Sequence, residues 1–158
     1  MATWAEFAEA APELARLGRE RIEAHELILL GTVKRDGSPR ISPVEPDFVD
    51  GELMMGMIWQ STKARDLLRD PRCVVHGVVS DRKGTEGEFK INGTARPIDD
   101  PEVTERYCQT LEARIDWRPE GDFHLFAIDI QGVWWFKYAE EQRQEQHWTA
   151  PMGDPDVK

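Results

Sequence analysis

Gly51 to Pro71 reads GELMMGMIWQSTKARDLLRDP, and how this stretch is read decides the fold. Glu52 to Ile58 has a strand's apolar composition, Gln60-Ser61-Thr62-Lys63 is a polar turn, and Ala64 to Arg69 is a short helix stopped by Asp70-Pro71. Hydroxyls, a lysine and the free N–H groups of a helix start therefore fall within a few residues, which is what an anion needs from a binding site. Ser61 and Thr62 supply hydroxyl and backbone donors, Lys63 a full charge, and Arg65 lies one step along the helix. Two readings stand here: a phosphate site, or an N-capped surface helix with solvated charges.

Before this stretch, Asp50-Gly51 is a hairpin turn signal. Arg40 to Val49 reads as one strand that Pro43 and Pro46 keep from being fully paired, leaving backbone groups that a ligand could use. Leu27 to Val33 is a further strand, separated from it by the turn residues Arg35-Asp36-Gly37-Ser38. At the start of the chain, Thr3-x-x-Glu6 is a capping box, Pro12 opens a new turn or helix, and Glu13 to Ala24 is an amphipathic helix. After the central stretch, Cys73 to Val79 reads as a wholly buried strand and Ser80 to Gly87 as a loop. Glu88 to Arg96 alternates, with Lys90 and Asn92 on its polar face. Asp99-Asp100-Pro101 opens a helix running to about Trp117. Phe123 to Ile130 and Val133 to Tyr138 are the last strands, joined at Gln131-Gly132. The tail from Ala139 is polar as far as Trp148, and Pro151, Gly153 and Pro155 suggest irregular structure. About seven strands at hairpin spacing favour an antiparallel barrel over a parallel α/β sheet.

The 158 residues amount to one domain, with 20 basic and 30 acidic side chains and a net charge of -10. That balance argues against general binding to nucleic acid or an anionic membrane, so a local basic cluster would have to be a site. No apolar run reaches membrane-spanning length and the N-terminus lacks a secretory pattern, so a cytoplasmic protein is expected. Cys73 and Cys108 are expected to be reduced, buried thiols. The four histidines have no ligand spacing, and no metal site is expected. Glycine-rich phosphate motifs are absent.

The segments DGSPRISPV, DGELMMGM, STKARDLLRDPRCVV and FKINGTAR together resemble the flavin-binding split barrel of the pyridoxamine 5′-phosphate oxidase-like proteins, including their deazaflavin-dependent relatives. The resemblance covers Leu27 to Arg96 well and the remainder loosely. It implies a mainly β fold with peripheral helices: a six-stranded antiparallel Greek-key split barrel over residues 27–138, a helical segment at 1–26 and a tail at 139–158. It also implies a homodimer with FMN in a groove between subunits. Carried over by position, Arg40 contacts the cofactor phosphate, Ser61, Thr62 and Lys63 form its turn, and Ile41, Ser42, Met57 and Ile58 line the flavin ring. Glu88 and Lys90 match the strand that faces the partner's cofactor. Thr62 stands where the family often has arginine, which removes one positive charge.

Of the six tryptophans, Trp59 and Trp148 are the candidates for a cofactor or substrate wall, with core packing as the alternative for each. Met54, Met55 and Met57 read as core filling. The end of the chain, Glu145 to Pro151, lacks the arginines with which the oxidase proper grips pyridoxal phosphate, so vitamin B6 oxidase activity is expected to be weak or absent. The implied function is an FMN-dependent oxidoreductase acting on a small organic substrate. The alternatives are an F420-dependent reductase, with Arg82, Lys83 and Lys90 available for its acidic tail, and a non-catalytic flavin- or haem-binding barrel. No catalytic acid or base stands out.

Overall fold

Asp50 and Gly51 both take positive φ, 52° and 77°, the backbone that closes a two-residue hairpin with the twist its strands require. This turn joins β3 (Pro46–Val49) to β4 (Glu52–Ile58) in the computed structural model, which describes residues 1–151. The irregular structure expected at Gly153 and Pro155 lies outside those residues. The other strands are β1 (Ile28–Val33), β2 (Pro39–Val44), β5 (Arg72–Gly77), β6 (Glu88–Pro97), β7 (Phe123–Ala139) and β8 (Gln142–Thr149). The helices are α1 (Trp4–Ala10), α2 (Pro12–His25), α3 (Thr62–Arg69) and α4 (Pro101–Ile115).

The strands form one antiparallel sheet in the order β2-β1-β5-β6-β7-β4-β3, with β8 added to β7. β2 and β3 stand at opposite ends of that order, yet only Glu45 separates them in the chain. The sheet must therefore curl until its two ends meet, and the mainly β split-barrel expectation holds, with the seam left open. β3 begins at Pro46 opposite Met55, so Gly56 to Ile58 run past its end without a β3 partner.

The sheet has eight strands where the resemblance implied six, and four further details differ from the sequence reading. The expected strand Arg40 to Val49 is two strands, because the chain changes sheet edge at Glu45. Gln131-Gly132 is not a hairpin but an irregularity inside the 17-residue β7, where the register with β6 shifts between Asn92 and Gly93. A Cβ on Gly93 would lie 2.3 Å from the Asp129 carbonyl oxygen, so glycine permits this approach. Residues 142–149 are the strand β8, held by pairing to β7 although nearly all its side chains are exposed. Finally, β5 ends at Gly77 and is buried on one face only: Val75 lies in the core while Val74 is exposed, as the pleat dictates.

The capping box forms as expected, with the Thr3 hydroxyl accepting the Glu6 N–H and the Glu6 carboxylate accepting the Thr3 N–H. Asp100 caps α4 through the N–H groups of Glu102 and Val103. The main core joins Trp4, Phe7, Leu14 and Ile22 of α1 and α2 to the barrel residues Ile28, Leu30, Phe89 and Ile128. A smaller core packs Tyr107, Cys108 and Leu111 of α4 on Met54, Leu125 and Ala127. Both cysteines are free and buried. Burial, with the Asp129 charge adding to it, pushes the Cys73 thiol up to about 12, so it carries no nucleophilic thiolate near neutral pH. Among the described residues no helix is long and apolar enough to cross a membrane.

Candidate functional site

β4 hands over to α3 through a tight turn in which Gln60 takes positive φ and the Ser61 N–H bonds the Ile58 carbonyl at 3.0 Å. Ser61 occupies the N-cap position, and its carbonyl accepts the Arg65 N–H. Its hydroxyl caps nothing: Oγ is buried and has no hydrogen-bond partner among the described residues. The first turn of α3 thus keeps its N–H donors for something else.

On one side of this turn lies a cation-lined hollow of about 540 Å³, bordered by Lys34, Arg35, Arg40, Arg65 and Arg69, with Asp36, Thr62 and Asp66. Asp66 organises it. The Asp66 carboxylate is only 4% exposed and accepts from Arg40 Nε at 2.6 Å, Thr32 Oγ1 at 3.1 Å and Arg69 Nη2 at 3.1 Å. Burial alone would raise this carboxyl, but the three hydrogen bonds outweigh it and hold the group below its ordinary value. Arg40 is thereby fixed through Nε, leaving its terminal nitrogens without a hydrogen-bond partner among the described residues. Lys34, Arg35, Lys63 and Arg65 likewise have no carboxylate partner among the described residues, whereas Arg16, Arg96, Arg106, Arg114 and Arg118 are all ion-paired. In a chain of net charge -10, several unpaired cations beside one helix start form an anion-attracting field.

On the other side, at the barrel seam, a groove of about 630 Å³ runs between Pro43–Glu45 and Gly56–Trp59. Lys63 closes one part of it, and α4 with the chain that follows supplies Tyr107, Leu111, Trp117 and Phe123. Trp59 stacks on His124 with ring centroids 4.3 Å apart and planes 12° apart, so one face of its indole is covered and the half-exposed remainder faces outward. The Tyr107 hydroxyl accepts the Gly56 N–H at 3.1 Å. Burial, with the Asp47 charge adding to it, raises the Tyr107 pKa well above its ordinary value, which leaves a neutral phenol and excludes it as a base at neutral pH.

The structure brings most of the expected site residues to these two cavities. Arg40 and Thr62 line the hollow, Met57, Ile58, Trp59 and Lys63 line the groove, and Ser61 lies at the turn between them. Ile41 and Ile58 project outward, 71% and 78% exposed. Ser42 lies on β2 between Ile41 and Pro43 and lines neither cavity. Lys90 is apart on β6, paired with Glu88 at 2.8 Å and set over the Phe136 ring. Trp148 is also apart: on β8 opposite Val133, it packs against Phe7 with ring centroids 5.1 Å apart. Arg82 and Lys83 sit in the β5–β6 loop and line neither cavity. Sequence reasoning missed Asp66, Lys34, Arg69, Tyr107 and Trp117. Asp66 reads as one more surface charge of a short helix, and only the approach of β1 and β2 makes it an anchor.

A family described as pyridoxamine 5′-phosphate oxidase matches residues 16–137. Comparison with curated proteins gives no match. Among solved structures, PhzG from Burkholderia lata 383, in complex with tetrahydrophenazine-1-carboxylic acid, is similar at a TM-score of 0.64 and 11% identity, covering 96% of this chain and 89% of that one. A heme binding protein from Mycobacterium smegmatis is similar at a TM-score of 0.61 and 18% identity, and the alignment covers 82% of this chain but only 57% of that protein. HutZ, the heme storage protein of Vibrio cholerae, is similar at 0.59 and 18%, covering 78% and 92%. At these identities the likeness is one of fold.

Proposed function

The chain belongs to the pyridoxamine 5′-phosphate oxidase family, and from that premise we propose that it is an FMN-dependent oxidoreductase acting on a small organic substrate, and that it works as a homodimer. The observation that carries this reading is the set of unpaired cations at the start of α3, beside an aromatic groove that opens along the seam. The residues fit a phosphate-bearing cofactor. The orphaned Ser61 Oγ, the free first-turn N–H groups, Lys63 and the Arg40 terminal nitrogens are donors at or beside the α3 turn without an acceptor among the described residues. Asp66 holds Arg40 in place for that contact, so the anchor does not have to be ordered on binding.

A flavin bound here would supply hydride transfer between a reduced donor and a small acceptor. The chain's own part is to bind and orient. Pro43 has no N–H, and Gly56 gives its N–H to Tyr107, so neither seam position offers the ring an amide donor. Trp59, backed by His124, and Trp117 narrow the groove and restrict water. The missing arginines near the chain end continue to argue against vitamin B6 oxidase activity.

One observation favours a second reading, F420. Lys34, Arg35, Arg65 and Arg69 supply more positive charge than one phosphate needs, and a longer acidic tail would use it. This basic cluster, not Arg82 and Lys83, is the one beside the α3 turn. The visible spectrum of the purified protein separates these readings and the haem-binding one: releasable FMN, a colourless protein that takes up F420, or a Soret band. Arg40→Ala and Lys63→Ala are each expected to weaken FMN binding by about 1.5–3 kcal/mol in fluorescence titrations. Unchanged affinity in both variants would return α3 to an ordinary solvated helix.

A further inference from the structure

The groove combines aromatic walls with carboxylates that hold no ion-pair partner among the described residues, Arg114 being near Glu45 but committed to Asp47 and Glu26. Glu45, at the crossing from β2 to β3, and Glu120 and Asp122, in the segment between α4 and β7, all line it. None of the three has an ion pair or hydrogen bond among the described residues. Asp47, Asp50, Glu52, Asp66 and Asp129, by contrast, each hold an arginine. Lys63 is the only cation among the lining residues, and a cofactor phosphate would occupy it. The walls are Trp59, Tyr107, Trp117 and Phe123, whose ring faces attract positive charge as well as planar apolar surface. The β6–β8 face near Lys90 would not reverse this balance if it closed over a groove, because Lys90 is paired with Glu88 and Arg143 with Glu145, both at 2.8 Å.

From this geometry we infer that the groove selects a planar aromatic substrate that carries positive charge, and discriminates against anionic aromatic acids of the same shape. The inference rests on the cofactor reading in one respect, that Lys63 is engaged by the phosphate. It sets this chain apart from PhzG, which is in complex with a carboxylic acid.

The test uses two flat probes of similar size, N-methylquinolinium and 2-naphthoate, titrated into FMN-loaded protein and into protein without FMN. Tryptophan fluorescence and flavin absorption report binding. The expected result is that the FMN-loaded protein binds the cation at least tenfold more tightly than the anion. In the triple variant E45Q/E120Q/D122N, measured on FMN-saturated protein, the preference should fall to threefold or less. Trp117→Ala, on the exposed groove wall, should weaken both probes. Equal or tighter binding of the anion, failure of either protein form to bind the cation, or a preference that survives the triple substitution would overturn the inference. If FMN does not bind but the cation preference holds, the flavin reading fails and the groove's selectivity stands on its own.

Discussion

Asp66 illustrates how one side chain can set a site it does not itself form. Its carboxylate gathers Arg40, Thr32 and Arg69, drawing β1, β2 and α3 together at the hollow. Asp66→Asn keeps the shape and removes the charge, so the arginines lose a buried counter-ion. A stability loss of about 2–3 kcal/mol is expected, together with weaker FMN binding as Arg40 loosens. The pH dependence follows from the lowered carboxyl. Because the folded-state pKa lies below the unfolded value of about 3.9, the stabilisation is complete above that value and is lost as pH falls through the folded pKa. Urea unfolding across pH 3 to 7 should show wild type and Asp66→Asn converging at the acid end; parallel curves would contradict this. The turn between β4 and α3 was legible in the sequence as a candidate anion site because hydroxyls, lysine and a helix start are contiguous in it. The residue that fixes Arg40 was not, because the residues it joins lie 26 and 34 positions away.

Among the elements, α2 is seated on the barrel through Gly18. A Cβ there would fall 2.2 Å from the Phe89 ring, at the centre of the main core. Alanine would gain about 0.8–1 kcal/mol of helix propensity but would displace that ring. Gly18→Ala is therefore expected to destabilise by a net 1–3 kcal/mol or so in denaturant unfolding, and a more stable variant would show the contact to be soft. The helix itself was readable from its apolar spacing, though the closeness of its approach was not. Strands were readable where one face is buried: β1, β4 and β6 carry the apolar pattern in their residues. β8 is QRQEQHWT, with almost no buried side to betray it, and it exists because β7 offers an edge. Gln131-Gly132 has the composition of a turn, and the continuity of β7 through it is set by β6, its long neighbour.

At the scale of the molecule, the outer face of the sheet carries Ile41, Leu29, Val74 and Trp134 on one side of four strands. Ile41, Gly31, Val74 and Asn92 lie directly opposite one another, and glycine keeps that row low. Exposed apolar surface of this kind on a highly charged protein marks a contact surface, and the proposed homodimer would cover it. Val74→Arg, at a site outside the core, should give a folded monomer in sedimentation experiments, whereas a wild type that is monomeric at micromolar concentration would end the dimer proposal. The barrel was legible from hairpin spacing and from the resemblance. The exposed row was not, because CVVHGVV is apolar at consecutive positions and only the pleat reveals which side stays outside.

Among the described strands β7 alone pairs with both of two sets: β6 with β5, β1 and β2 on one side, and β4 with β3 on the other. During synthesis these sets emerge as two separate patches joined through Glu45, and neither encloses the interior. The sheet becomes continuous only once residues 123–139 have left the ribosome, when Ala2 can also bridge to Ile130. Acquisition of the native state thus waits for β7, and nascent chains stalled before it are the forms most in need of a chaperone.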